Sequence, residues 1–246
     1  MTDLYFECTG GISGDMSVGA LLDLGASKQN LLNVLKSIGL DDEFTLEITE
    51  KKVNSIKACD FNVIINHHHD EHHHHHHRNL EDVLKIIEKA DTTAGAKKLA
   101  NKIFTIVAEA ESNVHGLPVD EIHFHEIGAI DSIVDILSFA VLFDELDVKN
   151  VYFSPLTEGI GTVECQHGTM NVPVPAVCEI VSKYKLPIKI TENKGEMITP
   201  TGAAIAASIY TAKKLPESII IDKIGCGAGK RPYKNPVLRV LSILNN

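Results

Sequence analysis

The spacing of apolar residues switches repeatedly between a helical and a strand period, and this alternation constrains the fold more than any other feature of the chain. Leu99, Ile103, Ile106 and Ala110 recur at helical spacing, whereas residues 44–49 alternate between apolar and polar side chains. The two periods follow one another without the regular strand–helix–strand rhythm of a parallel sheet. The pattern therefore predicts an α/β fold of the mixed α+β kind, in which helices flank a mixed sheet.

The individual elements follow from period, β-branched content and capping residues. Ser27 is a predicted N-cap and Gly39 a predicted helix end, and two neighbouring strands at 44–49 and 59–65 predict a hairpin. Further strands are predicted at 4–8, 151–153, 161–165, 188–191, 219–224 and 238–244. Further helices are predicted at 16–24, 80–89, 99–114, 128–146, 176–184 and 201–210.

Charge and cysteine content exclude several classes of protein. The 246 residues carry a formal net charge of −10 without a block of Lys and Arg, so we expect no nucleic acid partner. The most apolar stretch, 127–146, is interrupted by Asp131, Asp135 and Asp144, so we expect no membrane span. Five cysteines without a CxxC pair, and the lack of a secretion signal, favour a reduced, cytoplasmic location.

Residues 67–77 form a tract with nine imidazoles in eleven positions. Low complexity predicts a flexible, disordered loop, and the imidazoles predict binding of Ni, Zn, Cu or Co. Two interpretations stay open, a solvated loop that collects metal or a ligand set that belongs to an active site. The predicted ligands are His67, His68, His69, His72, His73, His74, His75, His76 and His77.

A second group of polar side chains precedes and enters an apolar helix. His123 and His125 are two residues apart, Glu126 follows them, and Asp131 and Asp135 share a helical face. Two acids on so apolar a helix are costly to bury unless they are paired or bind a cation. The group therefore predicts either a metal or acid–base site, or a helix-start cap with a buried polar network.

Three short segments have the composition of anion-binding turns, in which backbone N–H groups face a negatively charged ligand. They begin at Gly10, at Thr199 and at Gly225, and the last of them follows a predicted strand and ends in two cations. A plain tight turn explains each segment equally well on local grounds. The residues predicted to contact the ligand are Gly11, Ser13, Gly14, Thr201, Gly202, Gly227, Gly229 and Lys230.

Taken in order, these motifs resemble the LarC family along essentially the whole chain. The resemblance rests on the three turns, the internal His tract and the segment 123–136, and on shorter pieces between them. Those pieces are 154–156, 159–163, 167–168 and 172–176.

The resemblance implies a nickel chelatase, or cyclometallase, of the lyase class. Members of the family insert nickel into pyridinium-3,5-bisthiocarboxylic acid mononucleotide, with hydrolysis of CTP, and form the nickel-pincer cofactor of lactate racemase. Chemistry of this kind implies a base that takes a ring proton, for which Glu126 and Asp15 are the candidates. It also implies nickel ligands outside the tract, for which His123, His125 and Asp131 are the candidates.

The resemblance further implies that residues 1–246 are the N-terminal nickel-handling region of such a protein. The region that handles CTP with Mg or Mn is expected beyond this chain, and that region or a second copy of the chain is an expected partner. Lactate racemase is the expected recipient of the cofactor. Two other functions stay open, a non-enzymatic nickel chaperone or store that uses the His tract, and a metal-dependent phosphoester hydrolase.

Overall fold

The computed structural model describes residues 2–66, 78–122, 130–165, 168–231 and 233–244. The strands are β1 Thr2–Glu7, β2 Phe44–Val53, β3 Ile56–Ile65, β4 Val148–Phe153, β5 Leu156–Ile160, β6 Thr162–Cys165, β7 Gly168–Asn171, β8 Ile188–Lys194, β9 Ile220–Ala228 and β10 Val237–Leu244. The helices are α1 Gly14–Leu24, α2 Lys28–Ser37, α3 Leu80–Lys89, α4 Ala94–His115, α5 Ile130–Glu145, α6 Pro175–Tyr184 and α7 Pro200–Ile209. The prediction for tract 67–77 lies outside the described residues.

A mixed sheet in the order β2-β3-β9-β10-β1-β4 organises the molecule. The neighbours β1 and β4 are parallel, as are β3 and β9, and the other neighbours are antiparallel. Two smaller sheets pair β5 with β8 and β6 with β7. The predicted α/β class with a mixed sheet and flanking helices is therefore confirmed.

Helix α1 lies on the sheet, and α5 packs between α1 and α4. Because α5 has protein on several sides, it is apolar almost all round, and Ile133, Leu137 and Phe139 are completely buried. The long helix α4 also contacts α6 and α7. This packing explains why residues 130–146 are so apolar, and no helix in the described part of the chain could cross a membrane.

Most predicted elements are confirmed with shifts of a few residues at their ends. Ser27 caps α2 by accepting a hydrogen bond from the N–H of Asn30 at 3.1 Å, and the hairpin of β2 and β3 is present. Strands β5 and β7 were not predicted, since β7 contains Gly168-Thr169-Met170-Asn171 and lacks an apolar alternation. The cysteines are all free thiols, in agreement with the absence of a pairing pattern.

One prediction about the third turn is wrong in its boundary, since the segment from Gly225 begins inside β9, which runs to Ala228, and only its last three residues follow the strand. A Cβ on Gly227 would lie 1.8 Å from the carbonyl oxygen of Met16, and one on Gly225 would lie 2.1 Å from that of Ala20. These glycines let α1 approach the sheet closely, because a side chain at either position would occupy the space of the helix backbone.

Candidate functional site

A cavity of about 500 Å³ opens beside α1 and is lined by residues from both ends of the chain. One part of its lining is apolar, with Val63, Ile65, Val163, Met170 and Val174. The remainder is polar and charged, and its members are Ser13, Asp15, Glu111, Asp131, Ser132, Asp135, Glu164, Glu196, Thr199, Thr201, Lys230 and Arg231. The cavity can therefore take a ligand that has both a flat apolar part and charged groups.

Four helices present their first turns to this cavity. Its lining includes Ser13 and Gly14 at the start of α1, Asp131 in the first turn of α5, Pro175 at the start of α6 and Thr199 at the start of α7. Each helix N-terminus carries roughly half a positive charge and N–H groups without intrahelical partners. The helix starts are the part of the lining that can attract an anion. The lining as a whole carries six carboxyl groups against the two cations Lys230 and Arg231, and the six are Asp15, Glu111, Asp131, Asp135, Glu164 and Glu196.

A short backbone bridge holds the starts of α1 and α7 together. The N–H of Ile12 donates to the carbonyl oxygen of Met197 at 2.9 Å, and the N–H of Thr199 donates to that of Ile12 at 3.1 Å. Thr199 also caps α7 with its side chain, which accepts from the N–H of Gly202 at 3.1 Å. The two helix starts are thus fixed by backbone contacts that do not depend on a ligand.

Asp15 and Asp135 meet at the first turn of α1. Asp15 accepts hydrogen bonds from the Ser13 hydroxyl and, at 2.8 Å, from the N–H of Met16, and its other carboxylate oxygen lies 3.4 Å from Nζ of Lys230. Asp135 reaches the same turn from α5 and accepts a hydrogen bond from the N–H of Asp15. Two carboxylates from different helices therefore share one helix start.

Burial raises the pKa of Asp135 well above its ordinary value, and the neighbouring carboxylates of Asp15 and Asp131 raise it further. Lys230 acts in the opposite direction, as does the hydrogen bond from Asp15. Burial likewise raises the pKa of Asp131. The site thus contains carboxyl groups that hold protons more strongly than ordinary aspartates, a property typical of acid–base sites.

The predicted site residues divide into three sets. Those that line the cavity are Ser13, Gly14, Asp15, Asp131, Thr201 and Lys230. Those outside the described residues are His67, His68, His69, His72, His73, His74, His75, His76, His77, His123, His125 and Glu126. The remaining set consists of glycines, and roles in ligand binding remain predictions for all three sets.

The glycines Gly11, Gly202 and Gly227 do not line the cavity, and each is explained by close packing. A Cβ would lie 2.2 Å from the carbonyl oxygen of Met197 at Gly11, and 2.2 Å from that of Ile12 at Gly202. Gly229 borders a smaller neighbouring cavity of about 170 Å³, whose lining also includes Lys230. The sequence predicted either anion-binding turns or plain tight turns at these positions, and it did not predict the close packing that Gly11, Gly202 and Gly227 permit.

Several residues of the site were not predicted from the sequence. Asp135 was named in the acidic group and Arg231 as one of the two cations that end the third turn, but neither was included among the predicted site residues, and Glu196 was missed. The start of α6 was predicted to within one residue, with Pro175 at its first position, but it was not assigned to the site. Its N-cap residue Val174 has no side chain that can accept a hydrogen bond, so the first N–H groups of α6 lack a side-chain cap.

Within the residues that the structure describes, no three His, Cys, Asp or Glu side chains are arranged so that they could hold a metal ion. The closest approach to such a group is the aspartate cluster around Asp15, in which Lys230 supplies the positive charge. The described residues of the site therefore do not form a complete metal centre by themselves.

Comparison with known proteins decides the family. A family model described as nickel insertion protein matches residues 4–245. The chain belongs to the nickel insertion protein family. The resemblance read from the ordered motifs is confirmed by this match.

The relatives of this nickel insertion family member include proteins named pyridinium-3,5-bisthiocarboxylic acid mononucleotide nickel insertion protein. The one from Alkaliphilus metalliredigens is 47% identical over 99% of this chain and 61% of its own length. Those from Acetivibrio thermocellus and Akkermansia muciniphila are 43% and 39% identical, over 94% and 99% of this chain and 57% and 60% of their own lengths. The chain thus spans about three-fifths of these relatives. No solved structure gave a significant match.

Proposed function

We propose that this chain carries out the nickel-handling step in which nickel is inserted into pyridinium-3,5-bisthiocarboxylic acid mononucleotide. The observation that carries the proposal is the convergence of four helix N-termini, Lys230 and Arg231 on one cavity of about 500 Å³. The substrate named for the relatives is a mononucleotide with thiocarboxylate groups, so it is an anion with a flat ring. Phosphate and thiocarboxylate suit the helix starts, and the ring suits the wall around Val163 and Met170.

The supply of nickel is assigned to the His tract, in which clustered imidazoles favour such an ion. Ile65 at the end of β3 lines the cavity, and the His tract begins two residues after Ile65 in the chain. Asp131 lines the cavity as well, and Glu126 lies five residues before it in the chain. Both imidazole-containing segments are therefore close in the chain to residues that line the proposed nucleotide site.

Insertion requires that a carbon–hydrogen bond of the pyridinium ring breaks, that nickel bonds to that carbon, and that a base accepts the proton. We assign the base to Glu126 or Asp15, and the ligands that receive nickel from the tract to His123, His125 and Asp131. Asp15 lines the cavity beside Lys230, where a carboxylate is within reach of a bound ring. Nickel is the substrate of this step and leaves bound to the nucleotide.

The remaining parts of the proposal follow from the family. We expect a cytoplasmic protein of the lyase class whose insertion reaction consumes CTP with Mg or Mn. We also expect that the rest of the family's chain, or a second copy of this chain, takes part. The product would serve lactate racemase or a related enzyme.

A reconstituted assay tests this function. Purified chain, nickel, CTP and the nickel-free nucleotide are combined with and without the region that the longer relatives have in addition, and nickel-pincer product is measured by mass spectrometry. Product that depends on this chain supports the proposal, and its absence with every component present contradicts it. Glu126→Ala should abolish insertion without a change in melting temperature, and normal insertion by this variant contradicts the assignment of the base.

A nickel store is separated from an insertase by counting bound metal. Removal of residues 67–77 should leave a nucleotide-dependent nickel site if the folded body takes part, and no retained nickel if the tract alone binds the ion. Turnover of simple phosphoesters in the presence of the metal would instead indicate a hydrolase.

A further inference from the structure

The wall of the cavity contains an ion pair with one buried and one exposed partner. Nη2 of Arg231 contacts Oε2 of Glu196, whose side chain is 6% exposed, whereas the side chain of Arg231 is 45% exposed. Both residues line the cavity. Pairs of this kind contribute little net stability, because the loss of hydration by the buried carboxylate offsets the attraction. The pair is therefore better explained by the position that it gives to the guanidinium.

The backbone next to Glu196 is held by another carboxylate. Glu158 is completely buried, and its Oε1 accepts hydrogen bonds from the N–H groups of Met197 at 2.6 Å, Ile198 at 3.3 Å and Gly159 at 2.8 Å. The same segment is bonded on its other side to Ile12 at the start of α1. The backbone next to Glu196 is thus bonded to the segments that begin α1 and α7, two of the four helices whose starts face the cavity.

The segment that carries Arg231 is also tied down. The N–H of Tyr233 donates to the carbonyl oxygen of Arg231 at 3.0 Å, and the Tyr233 hydroxyl donates to that of Gly10 at 2.9 Å. The N–H of Gly229 donates to the carbonyl oxygen of Pro236 at 2.7 Å, which closes the segment at its base. Hydrogen bonds therefore hold in place both the backbone that carries Glu196 and the backbone that carries Arg231.

Within the described part of the chain, the Arg231 side chain bonds to Glu196 through Nη2, which leaves the donors on Nε and Nη1 for a ligand. A guanidinium presents its donors in a planar fork that matches the two oxygens of a carboxylate or phosphate. Lys230 next to it contacts Asp15 and supplies a second positive charge on the same wall. The arrangement is that of a receptor for an oxyanion.

We propose that Arg231 binds an oxyanion of the nucleotide, either its phosphate or a ring thiocarboxylate, and that Glu196 is the positioning residue for the guanidinium. This inference rests on the proposed function, since it assigns one contact inside the nucleotide site. It adds a specificity-determining residue that recognises charge on the substrate and takes no part in binding nickel.

Calorimetric titration with three ligands tests the role of Arg231. The ligands are the nickel-free nucleotide, the riboside left after a phosphatase removes its phosphate, and nicotinamide mononucleotide, which has a phosphate and no carboxylate. Arg231→Ala should weaken binding of the full nucleotide about 10- to 100-fold, the effect of losing a charged hydrogen bond. If Arg231 holds the phosphate, binding of nicotinamide mononucleotide weakens too, and binding of the riboside stays within about twofold.

If Arg231 holds a thiocarboxylate, the pattern reverses, and the riboside is the ligand whose binding weakens. Arg231→Lys keeps the charge and loses the fork, so its dissociation constant should fall between those of the native chain and Arg231→Ala. Arg239→Ala is the matched control, because Arg239 is also 45% exposed and paired with a carboxylate, Glu7, but lies outside the cavity lining. Unchanged binding of all three ligands by Arg231→Ala overturns the inference.

A double-mutant cycle tests the positioning role of Glu196. Glu196→Gln should weaken nucleotide binding in the native background and have no further effect in the Arg231→Ala background, because its influence passes through the guanidinium. Equal losses in both backgrounds would mean that Glu196 only supports the fold, and would overturn the positioning role. If the native chain does not bind the nucleotide at any concentration, the proposed function itself fails. If the native chain binds it and both substitutions leave the affinity unchanged, only this inference is contradicted.

Discussion

Gly202 of α7 lies so close to the carbonyl group of Ile12 that a Cβ would stand 2.2 Å from its oxygen and 2.5 Å from its carbon. The contact joins the first turn of α7 to the residue that pairs with Ile198 just before α1. Two of the helix N-termini that face the cavity therefore meet at Gly202, where there is room for the hydrogen atom of a glycine and not for a Cβ.

We expect Gly202→Ala to lower the free energy of unfolding by about 2 kcal/mol or more, because the atoms in its way are backbone. Helix propensity alone would instead favour alanine by about 0.5–1 kcal/mol. Gly95→Ala in the first turn of α4 is the control, since a Cβ there meets the movable Asp144 carboxylate. Urea unfolding of both variants gives the comparison, and equal stability of the two would contradict the packing role of Gly202.

Gly227→Ala separates a packing role from a phosphate-binding role. A Cβ at this position would lie 1.8 Å from the carbonyl oxygen of Met16, so we expect a loss of about 3 kcal/mol or more as α1 is pushed from β9. Thermal melting measures this effect without any ligand. A variant with native stability and selectively weakened nucleotide binding would favour the ligand contact predicted from the sequence.

Asp135→Asn should stabilise the chain by about 0.5–2 kcal/mol at neutral pH, in the range common for single stabilising substitutions. Asparagine keeps an acceptor for the N–H of Asp15 and removes a carboxyl group whose pKa burial has raised. Because the pKa is higher in the folded state, the unfolded chain releases the proton first. The free energy of unfolding of the native chain therefore falls as pH rises from about 4 through the folded pKa.

The gain from Asp135→Asn should thus be small in acid and grow toward neutral pH, and urea unfolding between pH 4 and 8 measures it. Asp41→Asn, at an exposed position between α2 and β2, is the control for the loss of one negative charge. A gain that is larger in acid than at neutral pH would show that the sign of the pKa shift is wrong. We expect nickel insertion to decrease in the same variant.

Glu158→Ala should cost about 3 kcal/mol or more, since the N–H groups of Met197, Ile198 and Gly159 lose their acceptor. Glu158→Gln should stay within about 1 kcal/mol of the native chain, because an amide oxygen still accepts. Burial raises the pKa of Glu158, and its Oε2 has no partner among the described residues, so a neutral side chain is well tolerated there. Equal losses in the two variants by urea unfolding would contradict this assignment.

Much of the fold could be predicted because local signals and packing agree. The helical stripe that includes Ile103 and Ile106 faces the core in α4, and the N-cap Ser27 forms its hydrogen bond. Strand β7 lacks an apolar alternation, and strand β5 contains Glu158, which is buried by contacts with residues 39 and 40 positions away. Neither strand could therefore be predicted. The pattern of apolar residues in a sequence predicts which side chains are buried among apolar neighbours. It does not predict that an acid is buried because it accepts hydrogen bonds from distant N–H groups.

The sequence by itself determined the mixed fold class, the family and the individual candidates Ser13, Asp15, Asp131 and Lys230, because periodicity, capping and motif order are local properties of the chain. Only the tertiary structure decided which of them share a cavity, and it placed Asp135, Arg231 and the unpredicted Glu196 in the same lining. Long-range backbone contacts such as that of Ile12 with Ile198 bring the helix starts together. The direction of a helix N-terminus in space depends on such contacts, and no spacing of residues along the chain encodes it.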